Sequence, residues 1–374
     1  MNKKLLTAAI GAALAAGPML AQADVKLYGK VHMSVDSVNP GDKGAGAGAG
    51  TNSASERKST QVSSNASRWG IDVSEKLGGG LTAIAKLEQD IAADGDNNSQ
   101  NARNRYVGLK GKFGQLIAGT HDTPFKEISR TVELFPEYIG DNRNLVSTGA
   151  SGGLGWDLRP ANMVRYDSPS LNGFVASYLF SADTTAVTGT EDNRRRADSV
   201  GVKYSKGPLY AAFAYEAHRL ASVADTGNPT EKGYRLGGSY NFGAFKAVAM
   251  YQDLKDLGGV TSGGSTIKRK AWVLGGAYTA GNNVFKLQYA KTDARSNTTT
   301  GDSAVDTGAK MWALGWDHLF SKTTKVYVAY AKTDNQTSAN FTVNGPSAGV
   351  HSDTITPVAG GSPSAWSVGM IVDF

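Results

Sequence analysis

Polar and apolar residues alternate with a two-residue period in several segments of the chain. Charged side chains recur on the polar face of these segments, so the charges of one segment lie along one surface. Lys30 lies on the polar face of segment 25–36, and Arg68 lies opposite the apolar face of the next segment. Lys86 and Glu88 share the polar face of a third segment. Fixed charges of this kind act through their electric field, which a low-dielectric wall focuses on passing ions.

The sequence offers little for covalent catalysis or metal binding. Its five histidines are scattered at His32, His121, His218, His318 and His351, and no Gly-x-Ser-x-Gly motif occurs. Cysteine is absent, which excludes disulfides and thiolate metal sites. We therefore predict no catalytic residue, no metal site and no cofactor.

The elements that position these charges read as sixteen β-strands. Their predicted bounds are 25–36, 67–77, 81–89, 103–110, 114–120, 161–167, 173–181, 198–205, 208–218, 232–242, 244–254, 268–279, 282–292, 309–319, 324–333 and 364–374. A single alternating strand would also suit a soluble sandwich with its apolar face inward. The number of strands and their connections distinguish the two architectures.

The connections alternate between short turns and long polar loops. Short turns include 77–81, 111–113 and 205–208, and long loops lie near 37–66, 90–102, 121–160, 182–197, 219–231, 255–267, 293–308 and 334–363. Short periplasmic turns and long extracellular loops are typical of transmembrane barrels, and an even strand count permits antiparallel closure. We predict an all-β, 16-stranded antiparallel transmembrane β-barrel, which is too wide for side chains to fill and so encloses a channel.

The N-terminus predicts export. Lys3 and Lys4 precede an apolar run, and Ala21-Gln22-Ala23 is a small-residue cleavage site, so residues 1–23 read as a cleaved signal peptide and 24–374 as one barrel domain. The mature charge is +4, from 37 basic and 33 acidic residues, because Lys3 and Lys4 leave the full totals of 39 and 33. No dense basic stripe predicts nucleic-acid binding.

Aromatic residues lie near the predicted strand ends, where a membrane barrel carries its interfacial girdles. In a soluble protein the same residues would form a core. The ten candidates are Trp69, Tyr210, Tyr240, Phe242, Trp272, Phe285, Trp316, Phe320, Tyr327 and Trp366. The alternating connections favour the girdle interpretation.

The glycine–alanine run at 44–50 is low-complexity loop.

An ordered set of short motifs resembles the general, non-specific Gram-negative outer-membrane porins of the neisserial, β-proteobacterial type. The motifs are Leu27–Lys30, Ser67–Ile71, Leu77–Leu81, Arg103–Gly111, Arg165–Pro169, Leu319–Thr324 and Val368–Phe374. The resemblance implies a homotrimer in the bacterial outer membrane, with a third long loop (121–160) that folds into the lumen and narrows it. It also implies that the barrel assembly machinery reads the C-terminal Phe374.

The resemblance further implies a constriction with carboxylates on the loop and basic residues on the wall. Segment 135–141 is similar to the constriction loops of enterobacterial porins. The loop-side candidates are Glu133, Glu137 and Asp141, and the wall-side candidates are Lys30, Arg68, Lys86, Arg103 and Arg105. Arg105 is expected to flank Arg103 on the same face.

Some positions depart from the family pattern. Tyr166 takes the place of the enterobacterial wall arginine, so a constriction role for Arg165 is doubtful, and Arg159 is a possible substitute. His121 follows Gly119-Thr120 where relatives carry arginine, and it would add positive charge below about pH 6.5. The run Arg194–Arg196 is either a solvated charge run or a contact for lipopolysaccharide phosphates.

We predict a water-filled channel for passive diffusion of ions and small hydrophilic solutes, with a weak preference for anions. The alternatives are a substrate-specific channel for phosphate, other anions or sugars, an outer-membrane barrel enzyme, and an adhesin without a conducting pore. Outer-membrane lipid and lipopolysaccharide are the expected surroundings.

Overall fold

The computed structural model of the chain describes residues 23–41, 58–95, 101–147, 155–182, 196–219, 230–258, 267–297, 306–344 and 357–374. The predicted signal peptide up to residue 22, the run at 44–50, Arg194, Arg195 and His351 lie outside the described residues. The strands are β1 Asp24–Asn39, β2 Ser59–Ser64, β3 Arg68–Gly78, β4 Leu81–Asp90, β5 Ala102–Gly111, β6 Gly114–Thr120, β7 Met163–Asp167, β8 Phe174–Ala182, β9 Arg196–Lys206, β10 Leu209–Arg219, β11 Thr230–Phe242, β12 Phe245–Lys255, β13 Ile267–Ala280, β14 Asn283–Thr292, β15 Ser296–Asn297, β16 Ala309–Leu319, β17 Thr324–Asn335 and β18 Ser364–Asp373. Two helices, α1 Pro124–Val132 and α2 Arg143–Val146, lie between β6 and β7.

The strands form one antiparallel sheet that closes on itself. The last strand pairs with the first from Lys30 opposite Asp373 to Asn39 opposite Ser364. Both β2 and β3 pair with β1 and together form one interrupted strand, and β15 has two residues. Without β2 and β15 the eighteen strands reduce to sixteen, which confirms the predicted barrel.

Two predicted loops contain short strands. Segment 37–66 includes β2, whose sequence Ser-Thr-Gln-Val-Ser-Ser resembles a polar loop but pairs with β1 between Met33 and Val38. Segment 293–308 includes β15, which pairs with the start of β13. The two helices between β6 and β7 were not predicted either. Local polar composition hid these elements because their partners lie elsewhere in the sequence.

The distribution of polarity is the reverse of that in a water-soluble protein. Large apolar side chains are exposed on the outer face, with Leu274 at 52% and Val107 at 63% of their surface. Charged side chains such as Arg235 and Glu216 are buried on the inner face. A continuous exposed apolar band is stable against lipid and not against water, so the outer face lies in a membrane.

The aromatic residues divide between the two faces. Eight of the ten candidates lie on the outer face or in a turn next to it, namely Trp69, Tyr240, Phe242, Trp272, Phe285, Trp316, Phe320 and Trp366. The girdle prediction is wrong for Tyr210 and Tyr327, which share a face with buried inward alanines. Tyr327 is 1% exposed and its hydroxyl lies 3.0 Å from His32 Nε2.

The short turn between β3 and β4 depends on glycine. Gly78, Gly79 and Gly80 have φ values of 86°, 58° and 80°, a region that side chains with a Cβ rarely adopt. The three glycines therefore permit a tight turn between the two strands. Among the described residues, no helix has the length and apolarity needed to cross a bilayer.

Candidate functional site

The third loop, of which residues 121–147 and 155–162 are described, is held inside the barrel by the apolar face of α1. The Thr123 side chain caps the helix by accepting a hydrogen bond from Lys126 N at 3.1 Å, and Pro124 occupies the first turn. Phe125, Ile128 and Val132 then follow at helical spacing and are buried against the inner wall of β9 to β12. The loop is therefore a packed layer on one side of the lumen.

A close approach between helix and wall requires a residue without a side chain on β11. A Cβ atom on Gly237 would lie 2.4 Å from Cγ2 of Ile128, well inside van der Waals contact. The helix therefore lies directly on the sheet backbone at this point.

Buried polar side chains fix the loop in register. Arg235 on β11 donates hydrogen bonds to the carbonyl oxygens of Phe125 at 2.9 Å, Val146 at 3.3 Å and Trp156 at 3.2 Å. Gln288 on β14 donates to Gly140 O at 3.0 Å. Because unpaired buried carbonyls are costly, these donors hold both limbs of the loop against the wall.

Where the loop reaches the opposite wall, Glu137 meets four basic side chains. Its carboxylate lies 2.9 Å from Arg68 Nη1 and 2.6 Å from Arg130 Nη2. Lys30 Nζ lies at 3.4 Å and Arg103 Nη2 at 3.7 Å. Glu137 is 3% exposed and has a left-handed φ of 72°, so the surrounding contacts hold its backbone in an unfavourable region.

Two further carboxylates on β4 complete this group of charges. Arg103 Nε lies 2.6 Å from Glu88, and its Nη1 lies 2.9 Å from Asp90. Arg68 Nε is 3.8 Å from the Glu88 carboxylate. We call this group the Glu137 cluster; its members are Lys30, Arg68, Arg103, Arg130, Glu88, Asp90 and Glu137.

The cluster keeps Glu137 ionised. Burial alone would raise the pKa of its carboxyl, but the charges of Arg68, Arg130 and Lys30 hold the pKa well below its usual range. Glu133 behaves in the opposite way: burial and the neighbouring Asp141 carboxylate raise its pKa to about 8. The two carboxyls of one loop therefore differ in charge at neutral pH.

Residues 6–338 match the model of the Gram-negative porin family. The chain is 30% identical over 363 residues to outer membrane porin protein 32 of Delftia acidovorans, which covers 93% of this chain and 95% of the relative. It is 29% identical to major outer membrane protein P.IA of Neisseria meningitidis, covering 93% and 99% of the two chains.

The chain belongs to the Gram-negative porin family. Among solved structures, the anion-selective porin from Comamonas acidovorans is similar with a TM-score of 0.74 and 27% identity, covering 94% of this chain and all of that one. The OmpT trimer form of Vibrio cholerae is similar in fold, with a TM-score of 0.67 and 17% identity. This porin is thus an outer-membrane protein that forms a channel.

The structure brings together three of the basic wall residues predicted for the porin's constriction. Lys30, Arg68 and Arg103 all lie within 3.7 Å of Glu137. Lys86 lies nearby on the same inner face but pairs with Asp72 at 3.0 Å and with the Tyr28 hydroxyl at 3.0 Å. Lys86 is therefore a neutralised part of the wall and has no contact with the loop carboxylate.

Arg105 lies on a different face of the barrel from the one expected from the sequence. A β-bulge in the β4–β5 pairing between Leu87 and Gln89 shifts the alternation, so Leu87 pairs with Arg105. Leu87 is 58% exposed on the outer face, and Arg105 hydrogen-bonds the Gln89 side chain at 3.2 Å. Arg105 thus lies on the lipid side, opposite to Arg103, and the expectation that the two flank each other is wrong.

The structure places Glu133 and Asp141 inside the loop, away from the channel. Glu133 accepts hydrogen bonds from Phe135 N at 2.6 Å and Asn142 N at 2.7 Å. Asp141 is fully buried, accepts from Glu137 N at 2.9 Å and pairs with Arg143. The loop folds back on itself at 133–142, so these two carboxylates satisfy its own amide groups.

Arg130 is a member of the Glu137 cluster that was not predicted from the sequence. It lies on the polar side of α1, opposite the face that packs on the wall, and reaches Glu137. The signal was present: a Thr-Pro start followed by apolar residues at 125, 128 and 132 predicts a helix with position 130 on its other side.

Arg159 and Arg165, the two other arginines considered for the constriction, are paired with carboxylates. Arg165 contacts Glu127 at 2.5 Å and Asp167 at 2.8 Å, and Arg159 contacts Asp122 at 2.8 Å. His121 lies 3.1 Å from Arg165, and burial together with that guanidinium lowers the pKa of His121. His121 therefore gains its positive charge only at a lower pH than the sequence predicted. Within the described ranges, no group of three or more His, Asp or Glu residues is arranged to hold a metal ion.

Proposed function

We propose that this porin is a passive, water-filled diffusion channel with a weak preference for anions, set by the Glu137 cluster. The cluster contains four basic and three acidic groups, a net charge of +1 from 4 − 3. The neighbouring pair of Lys86 with Asp72 adds no net charge. A single excess positive charge beside the lumen attracts anions modestly and still passes cations.

The packing of the third loop supports a size limit on solutes. Its apolar face and buried hydrogen bonds hold it against the wall of β9 to β16, so it narrows the lumen as a fixed layer. The similarity to the anion-selective porin from Comamonas acidovorans agrees in sign with the cluster's charge. We propose the constriction residues Lys30, Arg68, Arg103, Arg130 and Glu137, with Glu133 and Asp141 stabilising the loop.

We propose further that the mature chain begins after Ala23 and assembles as a homotrimer among outer-membrane lipid and lipopolysaccharide. Phe374 is the proposed signal for the barrel assembly machinery. It lies on the outer face, 58% exposed, and exchanges backbone hydrogen bonds with Gly29 at 2.8 and 3.0 Å. The C-terminal residue is thus accessible at the seam where the barrel closes.

Planar bilayers and liposome swelling test this function. We expect ohmic channels that insert in groups of three equal steps, and sugar entry that slows smoothly with solute size. Arg68→Glu should shift the reversal potential towards cations. Saturable block of conductance by one phosphate or sugar solute would instead identify a substrate-specific channel, and a lack of conductance would exclude the pore.

A further inference from the structure

The outer face of the barrel carries lysines at the long-loop ends of β11 to β17. These residues, which we call the lysine arc, are Lys232, Lys255, Lys268, Lys270, Lys291, Lys310 and Lys332. Each alternates with lipid-facing residues of its strand; for example, Lys270 precedes Trp272 and Leu274 on one face. The arc therefore borders the membrane and not the channel.

An aromatic row lies directly below the arc. Trp272, Tyr289, Trp312 and Tyr330 each occupy the outer-face position two residues nearer the membrane centre than a lysine. The rings of Trp272 and Tyr289 are 5.0 Å apart, and those of Trp312 and Tyr330 are 5.4 Å apart. Because such rings lie at the level of lipid headgroups, the lysines lie at the phosphate level or just outside it.

The arc brings like charges together. Lys291 is directly opposite Lys310 in the β14–β16 pairing, and Lys232 is directly opposite Lys255 in the β11–β12 pairing. Directly opposed like charges destabilise a sheet unless a counter-charge lies between them. Aspartates lie beside Lys232, Lys255 and Lys291, and Asp334 is directly opposite Lys310, so counter-charges reduce the repulsion at both places.

Aspartates offset the arc only in part. Lys291 pairs with Asp293 at 2.8 Å and Lys332 with Asp334 at 2.8 Å, while Lys232 and Lys255 lie 3.7 Å from Asp256 and Asp253. Seven lysines less four aspartates leave an excess of +3. Lys270 and Lys310 are exposed and have no ion pair with any residue in the described part of the chain.

The opposite sector of the barrel carries less charge at this end, where the exposed Lys58 precedes β2 and Arg105 lies on the outer face of β5. At the long-loop ends of β18 and β1 to β4, the outer-face strand residues are uncharged and include Ser37, Val62, Trp69, Gln89 and Trp366. The lysines are therefore concentrated on one sector and are not a general feature of the rim. A ligand for them must be anionic and must approach from the surrounding membrane.

We propose that the lysine arc binds the phosphate groups of lipopolysaccharide, with the aromatic row packing against its glucosamine backbone and acyl chains. The inference rests on the outer-membrane location of the proposed pore but not on its selectivity. Directly opposed residues on adjacent strands have Cβ atoms about 5 Å apart, so their flexible lysine side chains can bring both ammonium groups to one phosphate. Such bridging removes the repulsion between Lys291 and Lys310.

The test measures binding of diphosphoryl lipid A to the purified full chain in neutral detergent micelles. The variant Lys270→Gln/Lys291→Gln/Lys310→Gln removes three charges of the arc. The matched control, Lys112→Gln/Lys206→Gln/Lys322→Gln, removes three exposed charges at the short-turn end. We expect the arc variant to lose affinity by roughly a hundredfold, because each of the three basic groups near an anionic surface contributes about 1 kcal/mol. The control should bind as the wild type does.

Further arms separate the sources of phosphate and check folding. Dephosphorylated lipid A should bind the wild type as weakly as lipid A binds the arc variant, and millimolar inorganic phosphate should not displace lipid A. Lys310→Gln alone should lose affinity severalfold if the triple variant does not fold. Equal affinity of wild type and arc variant, equal loss in the control, or full displacement by inorganic phosphate would overturn the proposal. Conductance of the arc variant is measured separately, so a failure of the pore function is distinguishable.

Discussion

Glu137→Gln is the substitution whose effect on selectivity follows most directly from the structure. Glu137 is one of three acidic groups in the Glu137 cluster, and its pKa is held well below the usual range, so it is charged at neutral pH. The cluster has four basic and three acidic groups, a net charge of 4 − 3 = +1. Neutralising Glu137 leaves two acidic groups, so the net charge becomes 4 − 2 = +2. Glutamine keeps the shape and one acceptor oxygen for Arg68 and Arg130.

The size of the effect can be worked out from Coulomb's law. One added charge about 6 Å from a passing ion contributes about 0.7 kcal/mol in water. This free energy corresponds to a roughly threefold change in the entry of anions and, in the opposite direction, of cations. Anion entry rises and cation entry falls, so the permeability ratio should increase by up to about tenfold, and less at high salt because of screening.

The assay is the reversal potential of reconstituted Glu137→Gln channels across a salt gradient at neutral pH, with wild type alongside. We expect a shift towards the anion limit that shrinks as total salt rises. Glu75→Gln is the matched control, since Glu75 lies near the short-turn end of β3, far along the strand from Arg68. A shift towards cations, or an equal shift in the control, would refute the assignment of selectivity to the Glu137 cluster.

Three further predictions follow from the same contacts. Arg130→Glu leaves three basic and four acidic groups in the Glu137 cluster, a net charge of 3 − 4 = −1. The reversal potential of the variant channel should therefore show a preference for cations, and a continued preference for anions would contradict this. Arg235→Met removes hydrogen bonds to the carbonyl oxygens of Phe125 and Trp156, while Val146 O keeps its bond from Gln252 Nε2 at 2.9 Å. Each lost donor to a buried carbonyl costs about 1–3 kcal/mol, so the melting temperature should fall and single-channel conductance should rise and fluctuate. Unchanged values would show that Arg235 does not hold the loop. The pKa of Glu133 is raised to about 8 in the folded state, so its stabilising effect is fully present below the unfolded pKa of about 4.3 and is lost as pH rises to about 8. The melting temperature should therefore decline between about pH 4 and pH 8, and Glu133→Gln should flatten this decline. An identical decline in the variant would argue against the assignment.

The barrel could be predicted from sequence because its determinants are local. The inward position of Lys30 and Arg68 follows from period-2 alternation within one strand, and both lie on the inner face beside Glu137. All sixteen predicted strands overlap strands of the sheet. Alternation and turn composition need no knowledge of distant partners, so a single sequence carries them.

The remaining details depend on pairing between distant segments. Arg105 was misplaced because the bulge that moves it to the lipid face exists only in the pairing with β4. Tyr327 was predicted to lie in the interfacial girdle. Its side chain instead points into the barrel, where it contacts His32 and Tyr138, which are distant in the sequence. The burial of Asp141 likewise results from the loop folding back on itself. Arg130 differs, since the helix that presents it has a readable start signal.

The reversal potential of the wild-type channel in a salt gradient tests the central claim most directly. With a cluster charge of +1 and no compensating carboxylate from Glu133, the channel should favour anions weakly at pH 7, and the preference should diminish as salt rises. A potential of cation-selective sign at low salt, or one that no substitution within the Glu137 cluster alters, would contradict the account.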